Sequence, residues 1–393
     1  MVEMSFWNQI PKPIVGLSPM DGVTDASFRY IAATVGRPDV MLTEFVSVDT
    51  AAFAPESLLR DFTYSEIERP IAAQIYGHTP EAFYRVAHIA CEMGFDGLDI
   101  NMGCPAKKVA AKGSGAGLIQ TPALARAIVR AARQGIRDWV AGQTLSDIGI
   151  DLEFIERIKT ANRMRCGAEA PAQRREIPVS VKTRIGYEAI VVEDWIKNLL
   201  EERPAAISIH GRTLMQQYSG RADWSAIARA VEVARGSGTL ILGNGDLRSL
   251  ADVYRRVTET GVDGVLLGRA TQGNPWIFNG KLELKEAVRS RRPHAVPPPP
   301  AVDVAERFQV LLAHSRHFAA WREPHVFVAM RKQLAWYIRA VPRAADMRYR
   351  MVRVNVLDDV VRCVDDYAAA LASGSFPLRA SWASPPAAAL RCG

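Results

Sequence analysis

The sequence predicts an α/β fold: a closed TIM-type (β/α)8 barrel followed by a small all-α helical domain. Three observations lead there. Eight short runs of β-branched or apolar residues, each bounded by turn residues, recur between Ile14 and Arg269, and they are too short for helices and regular enough for strands. Segments with helical spacing separate most of them, the alternation that builds a parallel sheet buried on both faces, and eight strands are enough to close it. Polar and glycine-rich residues collect at the C-terminal end of nearly every run. In a barrel those ends converge on one mouth; in the alternative, an open doubly wound sheet, only ends near the switch point would meet.

Taken in order, Ile14–Met20 ends in Ser18, Pro19 and Met20, and Val40–Phe45 carries Thr43 and Glu44. Ile71–Gly77 carries Gln74, and Gly97–Gly103 leads from Asn101 into Cys104. Val179–Arg184 contains Lys182 and Arg184, two apart and therefore on one face. Ala205–Gly211 ends at His210, Thr239–Gly245 at Asn244 to Asp246, and Gly264–Arg269 at Gly268 and Arg269. Among the intervening segments, Pro80–Met93 and Pro122–Arg133 each begin with a proline preceded by threonine, a helix-start signal. The gap from Cys104 to Pro178 exceeds what one helix and two loops need, so residues 135–176 read as an insertion between the fourth and fifth strands. The barrel is thus expected over 1–290 and a proline-rich linker over 291–300. The helical periodicity of Val304–Ala320, Val326–Arg339 and Met351–Leu371 predicts a helical domain over 301–371, and residues 372–393 read as a fraying tail.

Composition narrows the function classes. The 393 residues are 48% hydrophobic and 23% charged, inside the globular range. No run approaches the roughly 18 apolar residues of a membrane span, and the N-terminus lacks signal-peptide order, so a soluble cytoplasmic protein is expected. Five scattered cysteines form neither a disulfide framework nor a CxxC pair, and seven histidines form no HExxH, so no metal site is expected. The net charge of +7 is unevenly placed: residues 1–278 carry −1 and residues 279–370 carry +6. A near-neutral module joined to a basic one suits a polyanionic partner.

Asn101-Met-Gly-Cys-Pro105 puts the Cys104 thiol on a sharp loop just past a strand end, and Lys107, Lys108 and Lys112 promise it an exposed, electropositive setting. Cys91, on an apolar helical stretch, reads instead as a buried small hydrophobe. Glycines end both of the last two strands, where barrels often hold a phosphate on backbone N–H groups, and Arg269 would add a charged clamp. Lys182 and Arg184, facing into a barrel, call for an anionic partner. Gln217 to Trp224 offers aromatic and polar groups suited to stacking and hydrogen bonding a base.

These motifs together resemble the tRNA-dihydrouridine synthases, FMN-dependent barrel enzymes. The resemblance rests on Ser18–Arg29, Gln74–Gly77, Asp99–Pro105, Lys112–Gly117, Val181–Gly186, His210–Thr213, Tyr218–Trp224, Gly243–Asp246 and Gly268–Phe278, nine motifs in the family's order. Met330–Tyr337 is similar to the family's C-terminal RNA-binding domain, nearest the bacterial B-type branch. The resemblance implies FMN held by Pro19, Met20, Asp21, Gln74, Lys182 and His210, with its phosphate at Asn244, Gly245, Asp246, Gly268 and Arg269. It implies NADPH or NADH as reductant, tRNA as partner, a monomer, and hydride passing from flavin N5 to uracil C6 while Cys104 protonates C5. Asn101, Arg184, Arg212 and Tyr218 would meet the substrate, and Arg331 and Lys332 the tRNA. Two features depart from the family pattern: Asp21 stands where alanine or glutamate is common, and the 135–176 insertion has no counterpart. Two rivals differ in what they predict: a dihydroorotate-type FMN dehydrogenase leaves the basic appendage unexplained, and a catalytically idle tRNA-binding module would be colourless.

Overall fold

The computed structural model of the chain describes residues 5–51 and 55–374. Its strands are β1 (Ile14–Leu17), β2 (Met41–Leu42), β3 (Val46–Ser47), β4 (Ile71–Tyr76), β5 (Gly97–Met102), β6 (Val179–Arg184), β7 (Ala206–His210), β8 (Leu240–Asn244) and β9 (Gly264–Leu267). All pair in parallel, in the order β1-β9-β8-β7-β6-β5-β4-β2, with β3 also on β4. An open sheet would leave β1 and β2 at opposite edges. Instead Leu17 N donates to Val40 O (3.0 Å) and Asp39 N to Val15 O (2.9 Å), which closes the barrel.

The predicted second strand differs: Val40–Phe45 is broken into β2 and β3. Leu42 pairs with Ala72 and Val46 with Ile75, so three residues, Thr43 to Phe45, lie opposite two on β4. One extra residue makes a bulge, and bulges re-aim side chains. Here Gln74 N donates to the Thr43 hydroxyl (2.9 Å).

Strand residues are buried almost throughout, as a two-sided parallel sheet requires. Ile14, Val40, Leu42, Ala72, Ala206, Leu240, Leu242 and Leu266 form one core cluster with Trp7 from the helix Phe6–Gln9. Most of these lie near the strand beginnings, so apolar packing fills that end and leaves the other to polar groups.

The segment 135–176, expected as an insertion, starts inside a helix rather than after one. Helix Pro122–Val140 runs unbroken past residue 135, because Gly135 lets it press on helix Pro80–Glu92: a Cβ there would sit 2.4 Å from Tyr84 O. A second helix, Leu152–Cys166, starts on an Asp151 cap and stops at the left-handed Gly167. It is anchored by Asn162 to Glu92 O (2.9 Å) and by Arg165 to Met93 O (2.9 Å), while Arg175 reaches Asp96 (2.9 Å). All three anchors precede β5, at the opposite end of the barrel from Cys104.

The chain divides into two compact units. Residues to Thr271 with Trp276–Pro299 form the barrel, and Gln272–Pro275 with residues from Pro300 form the other. The second is built on helices Val304–Trp321, Met330–Tyr337, Ala344–Met351 and Leu357–Ser373, around Phe308, Leu311, Phe318, Met330, Leu334, Met347, Val360 and Tyr367. Gln272–Pro275 belongs to it because Gly273, at φ 66°, packs on the Trp336–Tyr337 backbone and accepts a hydrogen bond from Arg307 (3.2 Å). The last helix runs two residues into the expected tail, which from residue 375 lies outside the described residues. Among the described residues no helix is long and apolar enough to cross a membrane, and no group of three or more potential metal ligands occurs.

Candidate active site

The C-terminal ends of the strands carry a connected polar system. Ser180 on β6 donates to Asp99 Oδ1 (2.6 Å) and Gln74 on β4 donates to Asp99 Oδ2 (2.7 Å). Asn101 Nδ2 donates to Gln74 Oε1 (3.0 Å), and Asn101 Oδ1 accepts from the amides of Gly103 (3.0 Å) and Cys104 (2.9 Å). Four residues, Ser180, Asp99, Gln74 and Asn101, thus connect three strands to the cysteine loop. Asp99 is fully enclosed; burial pushes its carboxyl up, opposed by Ser180, Gln74 and the charge of Lys182.

Cys104 corrects one expectation. It is only 7% exposed, and Lys107, Lys108 and Lys112 all face solvent. Burial is the main cause of its raised pKa, assisted by Asp21 and opposed by the Ala106 amide, Arg184 and Lys182. The cations that act on it therefore come from β6, not from its own loop. A thiol in this setting stays protonated at neutral pH, which suits an acid better than a nucleophile.

Lys182, Arg184 and His210 stand on adjacent strands, with Arg184 opposite His210 in register. Burial and the neighbouring Arg184 lower Lys182 to about 8. Burial likewise lowers Arg184 to about 10. Burial plus four surrounding cations keeps His210 neutral. An arginine can only donate, so His210 Nε2, 3.3 Å from Arg212 Nη1, must accept, and the imidazole proton sits on Nδ1. Arg184 spans two loops, donating to Gly103 O (2.7 Å), Thr213 O (3.1 Å) and Gln217 O (3.2 Å). Among the described residues, Lys182 Nζ, Arg184 Nη2 and His210 Nδ1 make no hydrogen bond.

The loop after β1 carries Pro19, Met20 and Asp21. It is held by Thr24, whose hydroxyl accepts from Met20 N (2.9 Å), and by Glu44, which accepts from Val23 N (3.1 Å). Buried Arg29 binds Thr24 O (2.9 Å) and pairs with Glu68 (2.7 Å). Glu44 rises to about 7 through burial and the nearby Asp25, Asp21 and Asp61, against the pull of Arg29.

At the β8 and β9 ends, Asn244 donates to Leu266 O (2.7 Å) and Gly245 takes φ 127°. A Cβ on Gly268 would meet only Met20 Sδ (3.4 Å) and Ser18 Cβ (3.7 Å), so the β1 and β9 loops adjoin with room between them. Asp246 accepts from Arg212 (2.8 Å), Ala222 N (2.8 Å) and Arg269 (3.0 Å). Burial pushes its carboxyl up, but the Ala222 amide and Arg212 outweigh it and hold it low. Arg212, 2% exposed, also donates to Ser219 O (3.1 Å) and Gly220 O (2.7 Å), so it is engaged as a brace for the loop bearing Tyr218. Tyr218 is 63% exposed, with Arg269 5.9 Å from its ring centre.

Arg331 and Lys332 belong to the helical unit. Arg331 donates to Val354 O (2.8 Å) and Asn355 (2.8 Å), bracing a turn, while Lys332 is exposed. Sequence reasoning assigned no role to Asp99, Ser180, Thr43, Glu44 or Arg29. The available signal was a carboxylate two positions before Asn101 in an otherwise apolar run.

The family model for dihydrouridine synthase (Dus) matches residues 16–170 and 158–372. A "probable tRNA-dihydrouridine synthase" of Staphylococcus aureus (strain MRSA252) is 29% identical over 374 residues, covering 93% of this chain and 96% of the relative. A "probable tRNA-dihydrouridine synthase 2" of Bacillus subtilis (strain 168) is 29% identical over 373 residues, 92% of this chain and 96% of the relative. Among solved structures, a DHODH from Eimeria tenella in complex with ferulenol aligns at TM-score 0.41 and 14% identity over 72% of this chain and 82% of that one, too distant for a functional argument. The match spans the β1 loop, the cysteine loop, the β6 cations and the helical unit alike: the chain belongs to the dihydrouridine synthase family.

Proposed function

We propose that this protein reduces the C5–C6 double bond of uridines in tRNA to 5,6-dihydrouridine, using FMN and NADPH or NADH. The observation that carries this reading is a set of donors with no protein acceptor, Lys182 Nζ, Arg184 Nη2 and His210 Nδ1, that open toward solvent beside a buried thiol on the Asn101-held loop. Water can serve these donors in the free protein, and a ligand that displaces it must bring acceptors of its own. An acceptor-rich, anionic ring system supplies what they lack, and FMN fits that donor set.

Pro19, Met20 and Asp21 on the braced β1 loop, with Gln74, Lys182 and His210, would hold the ring and ribityl chain. Asn244, Gly245, Asp246, Gly268 and Arg269 would hold the phosphate, Asp246 through its backbone because its carboxylate is occupied by Arg212 and Arg269. Bound flavin supplies the hydride. Cys104 holds a proton on Sγ for the uracil C5, and its raised pKa keeps that proton in place at neutral pH. Asn101 and Arg184 fix the thiol loop from either side, Asn101 through the Cys104 amide and Arg184 through Gly103 O. Exposed Tyr218 offers a ring face for stacking, and Arg212 keeps its loop in place.

A uracil in folded tRNA must leave its stack to reach a barrel mouth, so affinity has to come from the phosphates. Lys332, Arg339, Arg348 and Arg353, all exposed on the basic helical unit, suit that task. The reading further assigns a monomer working in the cytoplasm with no metal. Cys104→Ala should keep yellow colour and tRNA binding yet lose roughly 10²–10⁴-fold in dihydrouridine formation, measured by mass spectrometry of the treated tRNA. Full activity would remove Cys104 from the mechanism; colourless wild-type protein would remove the flavin.

A further inference from the structure

The polar system from Ser180 to Cys104 has a direction, and its two ends determine it. At one end the amides of Gly103 and Cys104 can only donate, so the Asn101 atom they face must be its oxygen. The Asn101 NH2 then faces Gln74 and must meet the Gln74 oxygen. That turns the Gln74 NH2 toward Asp99, whose carboxylate accepts from it and from Ser180. Side-chain amides are pseudo-symmetric, so neither Gln74 nor Asn101 could hold this orientation by shape alone. Were both to flip, the Asn101 NH2 would point at two N–H groups in a buried loop.

We propose that Asp99 is the positioning residue of the site: by accepting from both Ser180 and Gln74 it sets the orientation of Gln74 and Asn101 and, through them, fixes the backbone of the Cys104 loop. Its action is at a distance of two side chains, and it touches neither substrate nor thiol. The same orientation fixes which face of the Gln74 amide remains for a ligand. The functional importance of the loop rests on the reading of Cys104 given above, whereas the orientation itself does not.

The test exploits the directionality. Asp99→Asn is nearly isosteric but brings an NH2 to the end of the chain, which permits the inverted order and deprives the Cys104 amide of its acceptor. Asn101→Asp alone sets a second carboxylate at the other end of Gln74, which has only one NH2 to offer. The double variant, Asp99→Asn with Asn101→Asp, moves the acceptor from one end to the other. The new amide at position 99 then donates to Gln74, Gln74 donates to the new carboxylate at position 101, and that carboxylate accepts from the amides of Gly103 and Cys104. The double variant should therefore behave better than either single one.

Two readouts require no cofactor or tRNA: hydrogen exchange of the peptide containing Gly103 and Cys104, and iodoacetamide alkylation of Cys104 resolved by mass spectrometry, with exposed Cys166 as internal reference. In each single variant both rates should rise at least about ten-fold, the effect of one lost buried hydrogen bond. In the double variant both should return to within about three-fold of wild type. Unchanged rates in Asp99→Asn, or a double variant no better than the worse single one, would overturn the proposal. Should Asp99→Asn fail to fold by circular dichroism, recovery of folding in the double variant supports the chain and failure to recover refutes it. If Cys104→Ala keeps full activity while this cycle behaves as stated, the catalytic reading falls and the orientation stands.

Discussion

Replacing Glu44 by glutamine should stabilise this protein by an amount that grows as pH rises from about 5 and levels off above about 7. Glu44 sits on the bulge between β2 and β3, its carboxylate accepting from Val23 N at 3.1 Å. Burial comes first among the causes that lift its pKa from 4.5 to about 7, followed by the repulsion of Asp25; Asp21 and Asp61 add to it, and Arg29 opposes it. Arg60 also feels its charge from the Pro55–Asp61 helix. The folded state therefore holds the proton more tightly than the unfolded chain. The stabilisation this gives is full below the unfolded pKa and is lost as pH rises from there through the folded value, levelling above pH 7. Two and a half pH units at about 1.4 kcal/mol each give about 3.5 kcal/mol in full, of which about 2 kcal/mol falls between pH 5 and pH 8 once partial exposure is allowed for. Glutamine keeps the acceptor for Val23 and cannot ionise. Urea unfolding at both pH values measures the difference between Glu44→Gln and the parent. That difference should grow by about 2 kcal/mol from pH 5 to pH 8. A constant difference would mean that Glu44 is ionised in the folded protein across the whole range, and the account of the bulge would fail.

Other perturbations test other levels of the structure. Arg29 and Glu68 pair at 2.7 Å with both side chains 1% exposed, so Arg29→Met leaves an uncompensated buried carboxyl; a loss of about 3–5 kcal/mol in urea unfolding is expected, and a change below about 1 kcal/mol would show the pair to be dispensable. Lys332→Glu with Arg348→Glu, both exposed, should weaken tRNA binding and flatten its dependence on salt by roughly one unit of log–log slope for each phosphate no longer neutralised, with the absorbance of bound flavin unaltered. Equal affinity at two salt concentrations would exclude that surface. Arg331 is a poor choice for this test, because its bonds to Val354 O and Asn355 would be lost as well.

Much of the site could be read directly because strand residues near the C-terminal end of a barrel have few alternatives. Lys182 and Arg184 share a face by the two-residue period of a strand, and register sets Arg184 against His210. Cys104 was identifiable from the turn that carries it, but its exposure was not. The three lysines near it in sequence face solvent, and its electrostatic setting comes from β6. Arg212 was visible as a cation near the loop bearing Tyr218, yet its bonds to Asp246, Ser219 O and Gly220 O depend on a loop path that no local pattern encodes. The break between β2 and β3 was hidden for a similar reason: Val40–Phe45 has uniform strand propensity, and only its register against β4 reveals the extra residue.

The sequence by itself determined the alternation of strands and helices, the polarity of the strand ends and the separation of a neutral barrel from a basic helical unit. Those properties follow from periodicity and charge, which are local or additive along the chain. Tertiary structure alone decided the break between β2 and β3, the assignment of Gln272–Pro275 to the helical unit, the burial of Cys104 and the direction of the chain from Asp99 to its amide. Each depends on which atoms meet across tens of residues, and a hydrogen-bonding amide takes its orientation from the partner it meets rather than from its place in the sequence.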